Sequence, residues 1–211
     1  RGTAQNDDVY FQTRELQAQK YTKVYPIVAK YMKAISKATG RNYVPYQYYG
    51  DPKATRVIVA MGSVNQCAEE VVDYLTAKGE HVGVLEVHLY RPFVYKKFLE
   101  ALPKTVKKIA VLDRTIEQGA LYEPLCLDVQ AAYNGVKEKP IIVGGRYGLS
   151  SKDTTPTMVK AVFDNLKKRK PVDHFVIGID DDINHTNLPL GETIDVADPT
   201  TTELLFFGLG S

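Results

Sequence analysis

Five short apolar runs recur along the chain with helix-like segments between them: VIVAMG at 57–62, VGVLEVHLY at 82–90, IAVLD at 109–113, IIVGG at 141–145 and HFVIGI at 174–179. Near-continuous apolar runs mark strands buried on both faces, the condition of a parallel sheet covered by helices. The alternation therefore predicts an α/β fold over 51–184: an open, mostly parallel five-stranded sheet with helices on both faces. The first intervening helix has Ser63 as N-cap and Gln66 as its capping-box partner, is apolar at Val64, Cys67, Ala68, Val71 and Leu75, and closes at Gly79. A short helix over 95–101 follows Arg91-Pro92, and a third begins after Gly119 with Leu121, Leu125, Val129 and Ala132 on one face. The fourth has Thr155 as N-cap and Pro156 at its first position, burying Val159, Val162, Phe163 and Leu166.

Residues 1–50 differ in character, holding Tyr10, Tyr21, Tyr25, Tyr31, Tyr43, Tyr46, Tyr48 and Tyr49 of the chain's 14 tyrosines. Apolar positions from Tyr21 through Val24, Val28 and Met32 to Ile35 recur at helical spacing, with Gly40 placed to end the helix and Pro26 confined to its first turn. This is a helical arm, and 43–52 reads as an extended linker. Residues 185–211 read as a second linker leading to Leu204, Leu205, Phe206 and Phe207, the first strand of a further domain.

The total of 27 basic against 25 acidic residues, net +2, gives no reason to expect nucleic acid or an anionic membrane as partner. The balance is uneven, because from Pro171 onward eight acids stand with no Lys or Arg. No stretch approaches eighteen apolar residues and no signal-like segment opens the chain, so a cytoplasmic protein is expected. Cys67 and Cys126 are too few and too far apart for a disulfide framework or a zinc site, and both are expected as buried thiols. The start at Arg1 and the end at Ser211 suggest an excised fragment.

Ligands of open parallel sheets bind beyond the carboxyl ends of the strands. The segments there carry Arg91, Arg114 and Arg146, which could line one edge as an anion clamp or could pair with Asp113, Glu117 or a neighbouring domain. The four histidines have no partner at catalytic or metal-ligand spacing, and His88, inside a strand run, reads as structural. The segment after Gly62 lacks the Gly-Lys pair of a phosphate loop, and Gly144-Gly145 lacks dinucleotide-fingerprint spacing. Asp180, Asp181 and Asp182 lack the glycine of a calcium loop and read as a solvated turn. The basic run Lys167, Lys168, Arg169 and Lys170 suits a helix C-terminus.

Several strings are individually recognisable: RGTAQN with DVYFQ (1–12), RVIVAMGS (56–63), LYRPF (89–93), IAVLDRT with GALYEPL (109–125), GGRYGLSSKDTTP followed by MVKAVFDNL (144–166), and VIGIDDDINHTNL (176–188). In order, and nearly end to end, the chain resembles the pyruvate:ferredoxin (flavodoxin) oxidoreductases. The resemblance implies that 1–50 closes a thiamine-pyrimidine-binding domain, that 51–184 is a transketolase C-terminal-like domain, and that 185–211 opens the next. It implies a whole enzyme that converts pyruvate and coenzyme A to acetyl-CoA and reduces ferredoxin or flavodoxin. That enzyme would use thiamine diphosphate, magnesium and iron-sulfur clusters and be a homodimer. Gly208, Gly210 and Ser211 then resemble the start of a coenzyme A loop, cut before its helix. The fragment itself is expected to bind no cofactor, to have no catalytic residue or metal site, and to act as a structural module packed on other domains of the same polypeptide. Two further readings stay open: an independent anion-binding or small-molecule-binding module, and a relative acting on another 2-oxo acid.

Overall fold

The computed structural model describes residues 4–180 and 183–210. Among these residues six strands form one sheet: β1 (Tyr46–Gly50), β2 (Arg56–Ala60), β3 (Val82–Val87), β4 (Lys108–Asp113), β5 (Ile141–Arg146) and β6 (Phe175–Val176). Their spatial order is β1-β3-β2-β4-β5-β6. All neighbours are parallel except β1, which runs antiparallel to β3 with Gln47 opposite Glu86.

The sheet thus has six strands and not five, and the additional one lies in the segment expected to be a linker. Its sequence, YQYYG, has no aliphatic run. An edge strand needs none, because Tyr46 and Tyr48 pack on one face while Tyr49 packs on the other. The run at 174–179 yields only the two residues of β6, after which Gly178 turns the chain at φ 88°.

Among the described residues six α-helices accompany the strands: α1 (Asp7–Tyr21), α2 (Val24–Thr39), α3 (Val64–Ala77), α4 (Tyr95–Ala101), α5 (Pro124–Ala132) and α6 (Pro156–Lys167). Alternate strand residues divide the core between two layers. Ile58, Ala60, Val82, Val84, Ala110 and Leu112 face α3 and α6. Val57, Val59, Leu85, Val87, Ile109 and Val111 face α4 and α5. On that second face the Tyr46 ring meets Phe93 and Phe98 edge-on, and Tyr25 of α2 stacks on it at 6.3 Å between centroids.

The arm is two helices where one was expected. α1 has no buried residue, so its sequence carries no apolar stripe to betray it. α2 has Pro26 in its first turn and ends at Gly40, left-handed at φ 72°. Thr155 caps α6, its hydroxyl accepting the Met158 N–H at 3.4 Å. Ser63 makes no such bond, because it already has helical φ/ψ after the left-handed Gly62. α5 starts at Pro124, and Leu121, expected on its buried face, is exposed. Beyond β6, Leu188 and Ile194 return to the α3/α6 layer, and the Ile194 N–H donates to Thr157 Oγ1 at 3.2 Å. Leu204, Leu205, Phe206 and Phe207 are exposed and have no strand partner among the described residues. None of the described helices is long and apolar enough to cross a membrane.

Candidate functional site

From β2 the chain first moves to one side, to β3, and then crosses to the other, to β4. The point where strand order reverses is therefore the gap between the C-terminal ends of β2 and β4, where open α/β sheets place their ligands. A cleft of about 200 Å³ lies there. It is lined by Ser63, Val64 and Cys67, following β2, by Arg114, following β4, and by residues of the segment 147–154, following β5.

That segment belongs to the GGRYGLSSKDTTP string and is tightly turned. Gly148 is left-handed at φ 62°, and Ser150 and Ser151 also have positive φ, of 52° and 60°. The Tyr147 ring is buried and its hydroxyl donates to the Met61 carbonyl at 3.3 Å, which ties the end of β5 to the end of β2. Arg114 donates from Nε to the Gly148 carbonyl at 2.7 Å and from Nη2 to Ser151 Oγ at 3.1 Å.

The three arginines do not converge. Arg91 lies over the Tyr90 ring and pairs with Asp128 at 2.7 Å. Arg146 pairs through Nε with Glu123 at 2.5 Å, and that carboxylate is only 2% exposed. Of the three, Arg114 alone lines the cleft, and among the described residues it alone has no carboxylate partner. Asp113, a conceivable arginine partner in the sequence, accepts the Leu125 and Cys126 N–H groups at 3.0 and 3.1 Å and so caps α5 from a distance. Burial pushes its carboxyl above the usual range, against the pull of those two bonds.

A second polar cluster escapes motif reasoning. Glu86 is buried in β3, 3.0 Å from His88 Nε2, while His88 Nδ1 stands 2.8 Å from the Val44 carbonyl. Burial, with a hydrogen bond to Glu86 second, pushes Glu69 of α3 up to about 7. The Glu86 bond raises His88, which lies just beyond the end of β3 and not within the strand as expected. The available signal was a lone acid inside the run VGVLEVHLY.

A larger open groove of about 510 Å³ lies at the opposite end of the sheet, but Glu80 there already pairs with Arg56 at 2.9 Å and Lys167 at 2.7 Å. Cys67 packs against the α3/α6 layer and Cys126 in the other, where burial drives its thiol up to about 12. Two thiols on opposite faces of a sheet do not fit one iron-sulfur cluster. Among the described residues no three His, Cys, Asp or Glu side chains are grouped to hold a metal ion. Gly208 and Gly210 are exposed, and a Cβ on either would meet nothing within 4 Å. Ser211, Asp181 and Asp182 lie outside the described residues.

The family model for pyruvate:ferredoxin oxidoreductase core domain II matches residues 54–172, which begin just before β2 and end beyond α6. The chain belongs to the pyruvate:ferredoxin oxidoreductase family. All of it aligns with a pyruvate-flavodoxin oxidoreductase of Enterobacter agglomerans at 52% identity over 212 residues, covering 18% of that relative. It aligns likewise with a pyruvate:ferredoxin oxidoreductase of Moorella thermoacetica at 51% identity, again over 18% of the relative. The chain thus spans under a fifth of the length of these members of the family. Among solved structures, a 2-oxoglutarate:ferredoxin oxidoreductase of Magnetococcus marinus aligns with 58% of this chain and 20% of its own, at 23% identity and a TM-score of 0.41.

Proposed function

We propose that this chain is the second-domain segment of a pyruvate:ferredoxin (flavodoxin) oxidoreductase, and that it serves the whole enzyme as a packing module without chemistry of its own. The observation that carries this reading is end-to-end identity near 50% to enzymes of that name, confined to 18% of their length. The whole polypeptide would decarboxylate pyruvate oxidatively, transfer the acetyl group to coenzyme A and reduce ferredoxin or flavodoxin in the cytoplasm, as a homodimer. Thiamine diphosphate with magnesium and the iron-sulfur clusters would be held by other domains; Cys67 and Cys126 do not suit a cluster. Residues 1–50 and 185–211 would join this module to its neighbours, with Gly208, Gly210 and Ser211 leading into a coenzyme A loop. β1 and the stretch carrying Leu188 and Ile194 pack on the module itself, which supports drawing its limits slightly wider than 51–184.

The test is a strictly anaerobic assay of pyruvate-dependent dye reduction, with thiamine diphosphate and coenzyme A, on this chain and on the full-length polypeptide containing it. Activity in the full-length protein and none in the 211-residue chain is expected. Dye reduction by the chain alone would overturn the packing role. A full-length protein inert toward pyruvate but active on another 2-oxo acid would overturn the substrate.

A further inference from the structure

We propose that the cleft over the C-terminal ends of β2 and β4 is a binding site for a small oxyanion, a phosphate or short carboxylate, held by Arg114.

The charge inventory is the first ground. Among the described residues Arg91 and Arg146 are neutralised by carboxylates, whereas both recorded partners of Arg114, the Gly148 carbonyl and Ser151 Oγ, are neutral. Those two bonds fix the plane of the guanidinium without pairing its charge, and among the described residues its Nη1 has no hydrogen-bond partner. An arginine held in this way is preorganised for a two-oxygen acceptor, since less side-chain entropy remains to be lost on binding. Lys152 and Asp153 also line the cleft, and with Arg114 the three formal charges sum to +1.

Size is the second ground. A cleft of about 200 Å³ exceeds the roughly 150 Å³ that accommodates benzene and falls short of the roughly 300–1,000 Å³ of pockets for drug-sized ligands. A ligand of a few heavy atoms matches that space. Location is the third: the cleft occupies the switch point of the sheet, and its walls come from segments distant in sequence, tied by the Tyr147 bond to Met61. Ser63 adds to the same lining a hydroxyl unused for capping.

Thermal melting of the full 211-residue chain, with inorganic phosphate or acetate replacing chloride at constant ionic strength, tests the site. A saturable rise in Tm with either probe is expected, and the stronger of the two identifies the group that the cleft takes. Ser63→Asp sets a carboxylate in the cleft that Arg114 lines, at an exposed position with no cap bond to lose, so the fold is retained. Both Ser63→Asp and Arg114→Gln should weaken the probe roughly tenfold or more, while Arg91→Gln, outside the cleft, should leave it unchanged. Circular dichroism checks each variant, and if Arg114→Gln fails to fold, Ser63→Asp decides. No rise beyond chloride with either probe, or a rise undiminished in Ser63→Asp, would overturn the proposal.

Discussion

Glu123 and Arg146 form an ion pair at 2.5 Å in which the carboxylate is almost wholly removed from water and the guanidinium is about one-fifth exposed. The pair joins the start of α5 to the end of β5. Arg146→Met would leave Glu123 buried and uncompensated, at a cost of about 3–5 kcal/mol. The double variant Glu123→Met/Arg146→Met should recover most of that loss, because neither charge then needs solvation. Urea unfolding of the three proteins checks it, and a double variant as unstable as the single would show that the pair is not what the arginine contributes.

Stability should fall as pH rises from about 5 to 7. Glu69 is raised to about 7, chiefly by burial, so the folded state holds a proton that the unfolded state releases at lower pH. His88 is raised by its bond to Glu86, and its contribution is also full at low pH and lost as pH climbs through its folded value. Only the imidazolium can donate to Glu86 and to the Val44 carbonyl together. Glu86 has the opposite sign: burial opposes its ionisation, but the His88 and Glu69 bonds hold it below its ordinary value, so its contribution is lost only in acid. Glu69→Gln keeps a donor toward Glu86 without the titration, and its pH 5–7 stability profile should be flatter than the parent's. A profile of unchanged slope would contradict the assignment.

The same substitution should have unequal effects at two glycines. A Cβ on Gly145 would stand 2.1 Å from the buried Phe175 ring, so Gly145→Ala is expected to cost about 1–3 kcal/mol by forcing β6 off β5. Gly208→Ala meets nothing and should lie within about 0.5 kcal/mol of the parent. Denaturant midpoints compare them directly.

Deleting α1 should leave the melting temperature nearly unchanged, because that helix buries no residue. Deleting through Gly50 also removes β1, bares the outer edge of β3 and takes Tyr46 from its ring cluster. A loss on the order of 10 °C is expected, from the scale of aromatic core deletions in a chain of this size. Equal melting temperatures for the two truncations would show that β1 adds nothing to the core.

The central strands were legible because their information is local: Val57, Val59, Ile109 and Val111 announce burial within a few residues. The Thr155 cap and the Gly40 stop were legible for the same reason. β1 was not, since what makes Tyr46–Gly50 a strand is its pairing with Val82–Val87, more than thirty residues on. The arginines mark the same limit. Strand ends predict that Arg91, Arg114 and Arg146 lie along one edge, but whether each meets a carboxylate depends on Asp128, Ser151 and Glu123, which chain spacing does not place. Ser63 shows how a correct local motif is overridden: the left-handed Gly62 delivers the chain already helical, so the capping bond has no room to form.

The central position of β2 also governs how the molecule can be made. Its two neighbours arrive at different times, since Arg56 pairs with Val82 on one side and with Lys108 on the other, and 108 minus 56 leaves 52 residues to be synthesised before the second flank is covered. At ribosomal speeds of about 5–20 residues per second, the strand spends roughly 3–10 s with an open apolar edge after it emerges. The interval belongs to this strand order, because a sheet laid down from one edge to the other would cover each flank in turn. Nascent chains halted with β3 but not β4 outside the ribosome should therefore be the most adhesive, and those in which β4 has also emerged should lose that property.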